Sequence, residues 1–385
     1  MTRARAALAV LTLMLGLLGS VPGRAAAAVH ARAGGTRVPL LAYYYQWFQP
    51  SSWQRAKIDY PLLGRYSSDD TGVMRTHIAW AKSAGIDGFI VSWKSTPVNN
   101  RRLRLLLSVA AAENFKITII YQGLDFQRHP LPEAEVAADF AAFAQWFADS
   151  PVLFRLGGKP LTVFSGTWAY THDEVARITR PVRGKLLVLN TEKNERGYER
   201  LADVTDGDAY YWSSVNPDTN PNHAVKLSAM GRAVHAHRGY WVVPFAPGFD
   251  ARLVGGTKEV PRKNGDTLRA EYTAAMGSQP DVLGLISWNE FSENSYVEPS
   301  VANGRRYLDV LRELRGGAVA GRTATLAGEE PGPRRQTVAR SAYWPNLLRL
   351  AGFAAVLVAG VTMLARRRAG SPTGRRGSHP GRRTP

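Results

Sequence analysis

The stretch Gly88-Phe89-Ile90-Val91-Ser92-Trp93 is apolar on both faces of an extended chain. Parallel strands covered by helices have this pattern, whereas half-solvated antiparallel strands alternate apolar and polar residues. Residues 71–84, just before it, have the apolar spacing of a helix and end at Gly85, which favours helix termination. Ser67-Ser68-Asp69-Asp70 supplies side chains that can cap the start of this helix. The region therefore predicts a capped helix followed by a buried parallel strand.

This alternation of short apolar runs and longer helical stretches recurs eight times along the chain. The predicted strands are residues 38–45, 88–93, 116–122, 160–165, 185–191, 209–212, 240–246 and 282–288. The predicted helices include residues 71–84, 101–114, 133–148, 173–180, 224–237, 267–276 and 305–314. Eight units over residues 38–314 match the size of a single (β/α)8 TIM barrel. A doubly wound open sheet is the alternative, although it ordinarily has fewer strands and a glycine-rich first turn.

The formal net charge of +18 is concentrated at the two ends of the chain. Residues 38–314 hold 31 Lys and Arg against 29 Asp and Glu, so this region is nearly neutral. A nucleic-acid-binding domain needs a clustered basic patch on its folded part. We therefore expect no nucleic-acid partner.

The basic ends have the pattern of export and membrane anchoring. Residues 1–28 combine a positive start, an apolar run and Ala26-Ala27-Ala28, which predicts a signal peptide. Residues 347–364 are apolar except for one arginine near the edge and precede Arg366-Arg367-Arg368, which predicts a single transmembrane helix. Residues 315–346 would be a flexible stalk, and residues 365–385 a basic cytoplasmic tail in contact with membrane lipid. The barrel is then expected on the extracellular side of the cell membrane.

The chain has no cysteine, which excludes disulfides, thiol nucleophiles and cysteine-ligated metals. No zincin, nucleophile-elbow, dinucleotide-binding or Walker A motif occurs in the sequence. We therefore expect neither a metal nor a cofactor.

In a TIM barrel the active site lies at the carboxyl ends of the strands. Aromatic and polar residues cluster at these predicted positions, and such a ring suits a sugar, whose ring faces stack on aromatics while its hydroxyls need hydrogen-bond partners. The alternative for each aromatic is that it caps the barrel core. The predicted substrate-binding residues are Tyr44, Tyr45, Trp47, Trp93, Tyr121, Asp125, Glu192, Tyr211, Asn289 and Glu298.

Two carboxylates, Glu290 and Glu293, follow the last predicted strand in Trp288-Asn289-Glu290-Phe291-Ser292-Glu293. Cleavage of a glycosidic bond requires one protonated carboxyl group and one ionised carboxylate. Neighbouring carboxyl groups in unlike environments divide these roles. The alternative is a chance pair of glutamates on a surface loop. At the end of the last barrel strand, the pair is the predicted catalytic centre.

At these residues the sequence resembles glycoside hydrolase family 99, the endo-α-1,2-mannosidases and mannanases. The similar segments are Tyr43-Tyr44-Tyr45-Gln46-Trp47-Phe48, residues 63–70 with 84–93, Pro247-Gly248-Phe249-Asp250 with Arg262 and Gly265, and Asn289-Glu290-x-x-Glu293 with Glu298-Pro299. The sequence departs from the family pattern at Ser292-Glu293-Asn294 and at Tyr121-Gln122-Gly123-Leu124-Asp125.

The resemblance implies a retaining endo-glycosidase in which the sugar's own 2-hydroxyl attacks the anomeric carbon. Glu290 would deprotonate that hydroxyl, and Glu293 would act first as acid and then as base. The expectation is a membrane-tethered glycoside hydrolase that cleaves an α-linked, mannose-containing polysaccharide. Two alternatives stay open, a non-catalytic glycan-binding barrel and a transglycosylase that remodels surface polysaccharide. The oligomeric state is not predicted.

Overall fold

The computed structural model describes residues 37–316, which contain eleven strands and eight α-helices. The strands are β1 (Leu40–Tyr44), β2 (Gly88–Trp93), β3 (Lys116–Gln122), β4 (Arg155–Leu156), β5 (Lys159–Ser165), β6 (Leu187–Leu189), β7 (Gly207–Asp208), β8 (Tyr240–Phe245), β9 (Phe249–Asp250), β10 (Glu259–Val260) and β11 (Val282–Leu285). The helices are α1 (Thr71–Ser83), α2 (Pro97–Ala112), α3 (Glu133–Phe147), α4 (His172–Thr179), α5 (Glu195–Glu199), α6 (His223–Ala236), α7 (Asp266–Gly277) and α8 (Arg306–Leu314). Single 3₁₀ turns are Pro50–Gln54, Thr167–Ala169, Ala251–Val254 and Lys263–Gly265.

Eight of the strands form a ring in which all neighbours are parallel. The hydrogen-bonded order is β5, β3, β2, β1, β11, β8 and β7, and β6 pairs with β5. A parallel bridge between Asn190, just after β6, and Asp208 in β7 joins the two ends of this order. An α-helix follows each of the eight strands before the next begins. The predicted eight-unit α/β barrel is confirmed for the described residues.

Alternation along each strand divides the core into an inner and an outer layer. In β1, Leu41 and Tyr43 belong to the cluster inside the ring, whereas Leu40, Ala42 and Tyr44 belong to the larger cluster between strands and helices. Successive side chains of a strand point to opposite faces, so this division follows directly from the strand geometry. A third cluster, which includes Trp53, Tyr66 and Phe291, covers the carboxyl end of the ring on one side.

Several boundaries have the local chemistry that the sequence predicted. Asp70 caps α1, because its carboxylate accepts hydrogen bonds from the amides of Gly72 and Val73 at 2.8 and 3.2 Å. Gly85 follows α1 with a φ of 77°, a left-handed conformation that favours glycine. Helix α2 begins four residues earlier than predicted, since Thr96 caps it and Pro97 occupies its first position.

The strand predicted at residues 209–212 is wrong in position. The structure has its pairing at Gly207–Asp208 instead. Tyr210, Tyr211 and Trp212 leave the ring directly after it, and all three line a cleft rather than alternating between two faces. Successive side chains of a strand point to opposite faces, so three consecutive residues that all line one cavity cannot belong to a strand.

No helix among residues 37–316 is long and apolar enough to cross a lipid bilayer. The predicted signal peptide, most of the stalk, the transmembrane helix and the basic tail lie outside the described residues.

Candidate active site

A cleft of about 360 Å³ opens at the carboxyl ends of the barrel strands. The lining residues come from the ends of seven ring strands or from the segments that follow them, after β1, β3, β5, β6, β7, β8 and β11. Aromatic, amide, hydroxyl and charged groups face one another across the cleft. The lining residues include Tyr45, Trp47, Gln122, Asp125, Arg128, Trp168, Lys193, Tyr211, Trp212, Phe249, Glu290 and Glu293.

Glu290 is held in place by the segment that follows β11. The amide of Trp288 donates to the carbonyl of Tyr43 at 2.7 Å, which attaches this segment to β1. The amide of Glu290 donates to Ser287 Oγ at 2.8 Å, and the amide of Ser292 donates to Glu290 Oε1 at 2.9 Å. The carboxyl group is buried and oriented by the backbone of its own turn.

Glu293 lies one turn further along and is held from the opposite side. Its carbonyl accepts a hydrogen bond from the amide of Asp250 at 2.8 Å, which attaches the loop to β9. The Arg262 guanidinium donates to the carbonyls of Asn294 and Tyr296 at 2.9 and 2.8 Å. These contacts bring both carboxyl groups to the cleft, as the sequence predicted.

The environment of Glu290 and Glu293 favours a state in which the two carboxyl groups hold one proton between them. Burial, followed by the charge of Glu293, raises the pKa of Glu290 from its ordinary 4.5 to about 8. Burial also raises the pKa of Glu293, while the nearby Arg128 acts to lower it. Two close, buried carboxyl groups resist simultaneous ionisation, so one proton stays on the pair at neutral pH. The site can therefore donate one proton and accept another.

Two tyrosines, Tyr45 and Tyr211, line the cleft together with Glu290 and Glu293. The Tyr45 and Tyr211 hydroxyls share a hydrogen bond, and Tyr45 stacks on Trp47 with ring centroids 4.3 Å apart. Burial raises the pKa of both phenols well above 10, so both hydroxyls keep their protons. Trp47 is 46% exposed and offers a free ring face at the mouth of the cleft. Such surfaces stack on sugar rings.

Among the predicted substrate-binding residues, Tyr45, Trp47, Asp125 and Tyr211 line the cleft. Asp125 is partly exposed, and its Oδ1 accepts a hydrogen bond from the amide of His129 at 2.8 Å. These four have the position that a sugar-binding role requires.

Tyr44, Trp93 and Tyr121 were predicted to bind substrate but point away from the cleft. All three belong to the outer core cluster between strands and helices. Each sits at an outward position of its strand, one residue away from an inward-facing neighbour. Their polar atoms have partners in that layer, since Tyr44 contacts His77, Trp93 donates to Asn100 and Tyr121 donates to Asp139.

Glu192, Asn289 and Glu298 were also predicted to bind substrate, and the structure gives them internal partners instead. Arg200 donates to Glu192 at 3.2 Å, and Asn289 makes two hydrogen bonds to the backbone of Tyr45, at 2.8 and 3.0 Å. Glu298 accepts from the Tyr66 hydroxyl at 2.9 Å and lies 3.1 Å from His77 Nε2. Their buried polar groups are satisfied within the protein, which favours roles in positioning the loops.

Sequence reasoning missed several residues of the cleft, among them Arg128, Trp168 and Lys193. The Lys193 ammonium lies 4.4 Å from the centre of the Trp168 ring, a cation–π contact. Trp168 follows β5 and Lys193 follows β6, so the rule that barrel sites occupy strand ends could have identified both. Arg128 lies on a longer loop after β3, for which sequence gives no such signal.

Within residues 37–316, no three His, Asp or Glu side chains converge in the way that a metal site requires.

Comparison with known proteins agrees with this architecture. Residues 62–309 match the model of glycosyl hydrolase family 71. The sequence is 23% identical over 284 residues to a glycoprotein endo-alpha-1,2-mannosidase-like protein of Mus musculus, and 22% identical over 276 residues to a glycoprotein endo-alpha-1,2-mannosidase of Rattus norvegicus. These alignments cover 66% and 63% of this chain but only 61% and 56% of the two relatives.

Among solved structures, the fold is similar to the GH99 endo-alpha-mannosidase of Bacteroides thetaiotaomicron. The TM-score is 0.64 at 22% identity, and the match covers 73% of this chain and 99% of that chain. The resemblance to family 99 that the sequence indicated is thereby confirmed. Because the family model spans well over half of its length, the chain belongs to glycosyl hydrolase family 71.

Proposed function

We propose that the protein is an endo-acting α-mannosidase that cleaves an α-linked, mannose-containing polysaccharide with retention of anomeric configuration. The observation that carries the proposal is the carboxyl pair, buried Glu290 and partly buried Glu293, which faces one cleft among aromatic side chains. The names of the relatives and of the similar solved structure favour an α-mannoside as substrate.

In the first step Glu290 takes the proton of the sugar's 2-hydroxyl, and that oxygen attacks the anomeric carbon. The bond from the anomeric carbon to the glycosidic oxygen breaks, and Glu293 gives its proton to that leaving oxygen. The product of this step is a 1,2-anhydro sugar. In the second step Glu293 takes a proton from water, and the water oxygen attacks the anomeric carbon. The bond from that carbon to the 2-oxygen breaks, and Glu290 returns its proton to the 2-oxygen.

The charges around Glu290 and Glu293 favour these roles, with Glu290 as the base and Glu293 as the acid. The negative charge of Glu293 is one cause of the raised pKa of Glu290, and that cause is removed when Glu293 carries the shared proton; Glu290 ionises more readily in that state. Lys57 lies close enough to lower the pKa of Glu290 and favours its ionised form. A buried carboxylate that is reluctant to stay ionised is a stronger base than an exposed one.

The test is cleavage by the full chain of an α-1,2-linked mannan, with an α-glucan for comparison. Glu290→Gln and Glu293→Gln should each lower kcat/KM by at least about a hundredfold, the scale of a lost acid or base. Glu199→Gln, at an exposed position on α5, is the matched control and should leave the rate unchanged. The anomeric proton signals of the first product should show the α configuration.

Other outcomes separate the alternatives. Binding of the mannan without cleavage, equal in wild type and both glutamine variants, would leave a glycan-binding barrel. Transfer of mannosyl chains to an added oligosaccharide in preference to water would identify a transglycosylase.

We also propose that the protein is anchored in the cell membrane with its barrel outside. The support is the sequence pattern of residues 1–28 and 347–368. Protease added to intact cells should digest the barrel and leave a fragment with residues 365–385 in the membrane fraction. Recovery of the intact chain in the soluble fraction of lysed cells would contradict the anchoring.

A further inference from the structure

A second cavity adjoins the active-site cleft and has a different chemical character. Its volume is about 770 Å³, within the range of sites that hold small ligands, about 300–1,000 Å³. Lys193, Tyr210, Trp212 and Ser214 line both spaces, so the cavity is a continuation of the cleft. We call it the lysine cavity, because Lys193, Lys226 and Lys258 all line it.

None of these three lysines has a carboxylate ion pair within the part of the chain that the structure describes. Each ammonium instead lies over an aromatic ring: Lys193 over Trp168 at 4.4 Å, Lys226 over Tyr210 at 4.5 Å, and Lys258 over Trp212 at 5.8 Å. An aromatic face attracts a cation without neutralising its charge. The three positive charges are therefore held in place and remain available to an anion.

Acidic groups near the cavity offset this positive charge only in part, since Glu195 and Asp208 act on Lys226 without forming an ion pair with it. Glu259 also lines it, but its carboxylate lies 3.6 Å from the Arg252 guanidinium. The first turn of α6 borders the cavity through His223 and Lys226, and that turn contains no acidic residue and no side-chain cap. The amino end of a helix carries partial positive charge, which favours an anion.

We propose that the lysine cavity binds an anionic substituent, a phosphate, sulfate or carboxylate group, on the glycan whose backbone occupies the cleft. This inference rests on the proposed function and narrows its substrate class to an anionic α-mannan. Trp212 and Tyr210, shared by both spaces, provide ring faces for a sugar that passes from the cleft into the cavity. The lysine ammonium groups would bind the substituent as point charges, which suits all three anions.

The test measures binding by the full chain carrying Glu290→Gln, so that the glycan is not consumed. The probes are a phosphorylated α-mannan, the same preparation after dephosphorylation, a sulfated α-mannan and an α-mannan oxidised to carboxylate at C6. Near 50 mM salt, at least one anionic form should bind about tenfold more tightly than its neutral counterpart, and the difference should shrink at high salt. Comparison of the three anionic forms identifies which substituent is preferred.

Added Lys226→Gln and Lys258→Gln substitutions should reduce that preference to less than about threefold. Lys258→Gln alone changes an exposed side chain and tests the same point if the double variant is unstable. The matched control is Lys185→Gln, an exposed lysine just before β6 at the opposite end of the barrel, which should keep the full preference.

Equal binding of all anionic and neutral forms, or a preference that survives the two lysine substitutions, would overturn the inference. A preference lost equally in the Lys185→Gln control would also overturn it, because the effect would then reflect net charge alone. Cleavage of neutral mannan by the wild type is measured separately. Its failure would overturn the proposed function, whereas the binding comparison tests the lysine cavity by itself.

Discussion

Replacement of Glu290 by glutamine should stabilise the folded protein at alkaline pH while it abolishes catalysis. Burial and the neighbouring Glu293 raise the pKa of the Glu290 carboxyl group from 4.5 to about 8, so the fold favours its protonated form. The stability associated with this raised pKa is fully present below about pH 4.5 and is lost as the pH rises through 8. Glutamine has the same shape and stays neutral at every pH.

The magnitude follows from the difference between the two pKa values. At about 1.4 kcal/mol for each pKa unit, a rise from 4.5 to about 8 corresponds to about 5 kcal/mol. Between pH 4 and pH 9, the free energy of unfolding of Glu290→Gln should therefore rise relative to that of the wild type by up to about 5 kcal/mol. This is a large share of the total stability of a folded domain, about 5–15 kcal/mol.

The assay is urea unfolding followed by tryptophan fluorescence at several pH values from 4 to 9, since the chain contains 10 tryptophans. Apart from Glu293, which shares a proton with Glu290, the titrating groups are common to both proteins and largely cancel in the difference. The control Glu199→Gln removes an exposed carboxyl group and should show no such trend. A difference between Glu290→Gln and wild type that is constant within about 1 kcal/mol from pH 4 to pH 9 would refute the reasoning.

Three further predictions test the site and the barrel. Wild-type kcat/KM on α-mannan should fall above about pH 8, because the carboxyl pair then loses its shared proton; a flat profile up to pH 10 would contradict this. Tyr211→Phe removes the hydroxyl that bonds Tyr45, and kcat/KM per folded molecule should fall about tenfold; an unaltered rate would exclude the phenol pair from a role in catalysis. Asp87→Asn weakens contacts with Arg37, Arg315 and the Leu40 amide at the amino end of the ring, and should cost about 1–3 kcal/mol in urea unfolding without changing activity per folded molecule.

The eight strand and helix units were predictable because burial on both strand faces and helical periodicity are local properties of the sequence. The strand at Gly88–Trp93 has the predicted bounds, and α1 begins at its predicted residue and ends one residue early. The carboxylate pair was also predictable, since any residue that follows a barrel strand faces the active end. Glu290 and Glu293 lie in the segment that follows the last strand, and both reach the cleft.

Which face a strand residue occupies was harder to predict where apolar residues fill both faces. Tyr44 and Tyr45 are neighbours in one aromatic run, yet only Tyr45 lines the cleft. A one-residue change in register exchanges the two faces, and an aromatic run carries no polar residue to mark the boundary. The same ambiguity explains the outward positions of Trp93 and Tyr121.

Local sequence thus determines the number and order of the elements, their caps and the end of the barrel where the carboxylates lie, because each depends on residues close together in the chain. The tertiary structure alone decides the pKa of Glu290 and the grouping of Lys193, Lys226 and Lys258, which come from three separate segments. Burial and charge proximity are properties of the closed ring, since only the ring brings distant segments together and removes their side chains from water.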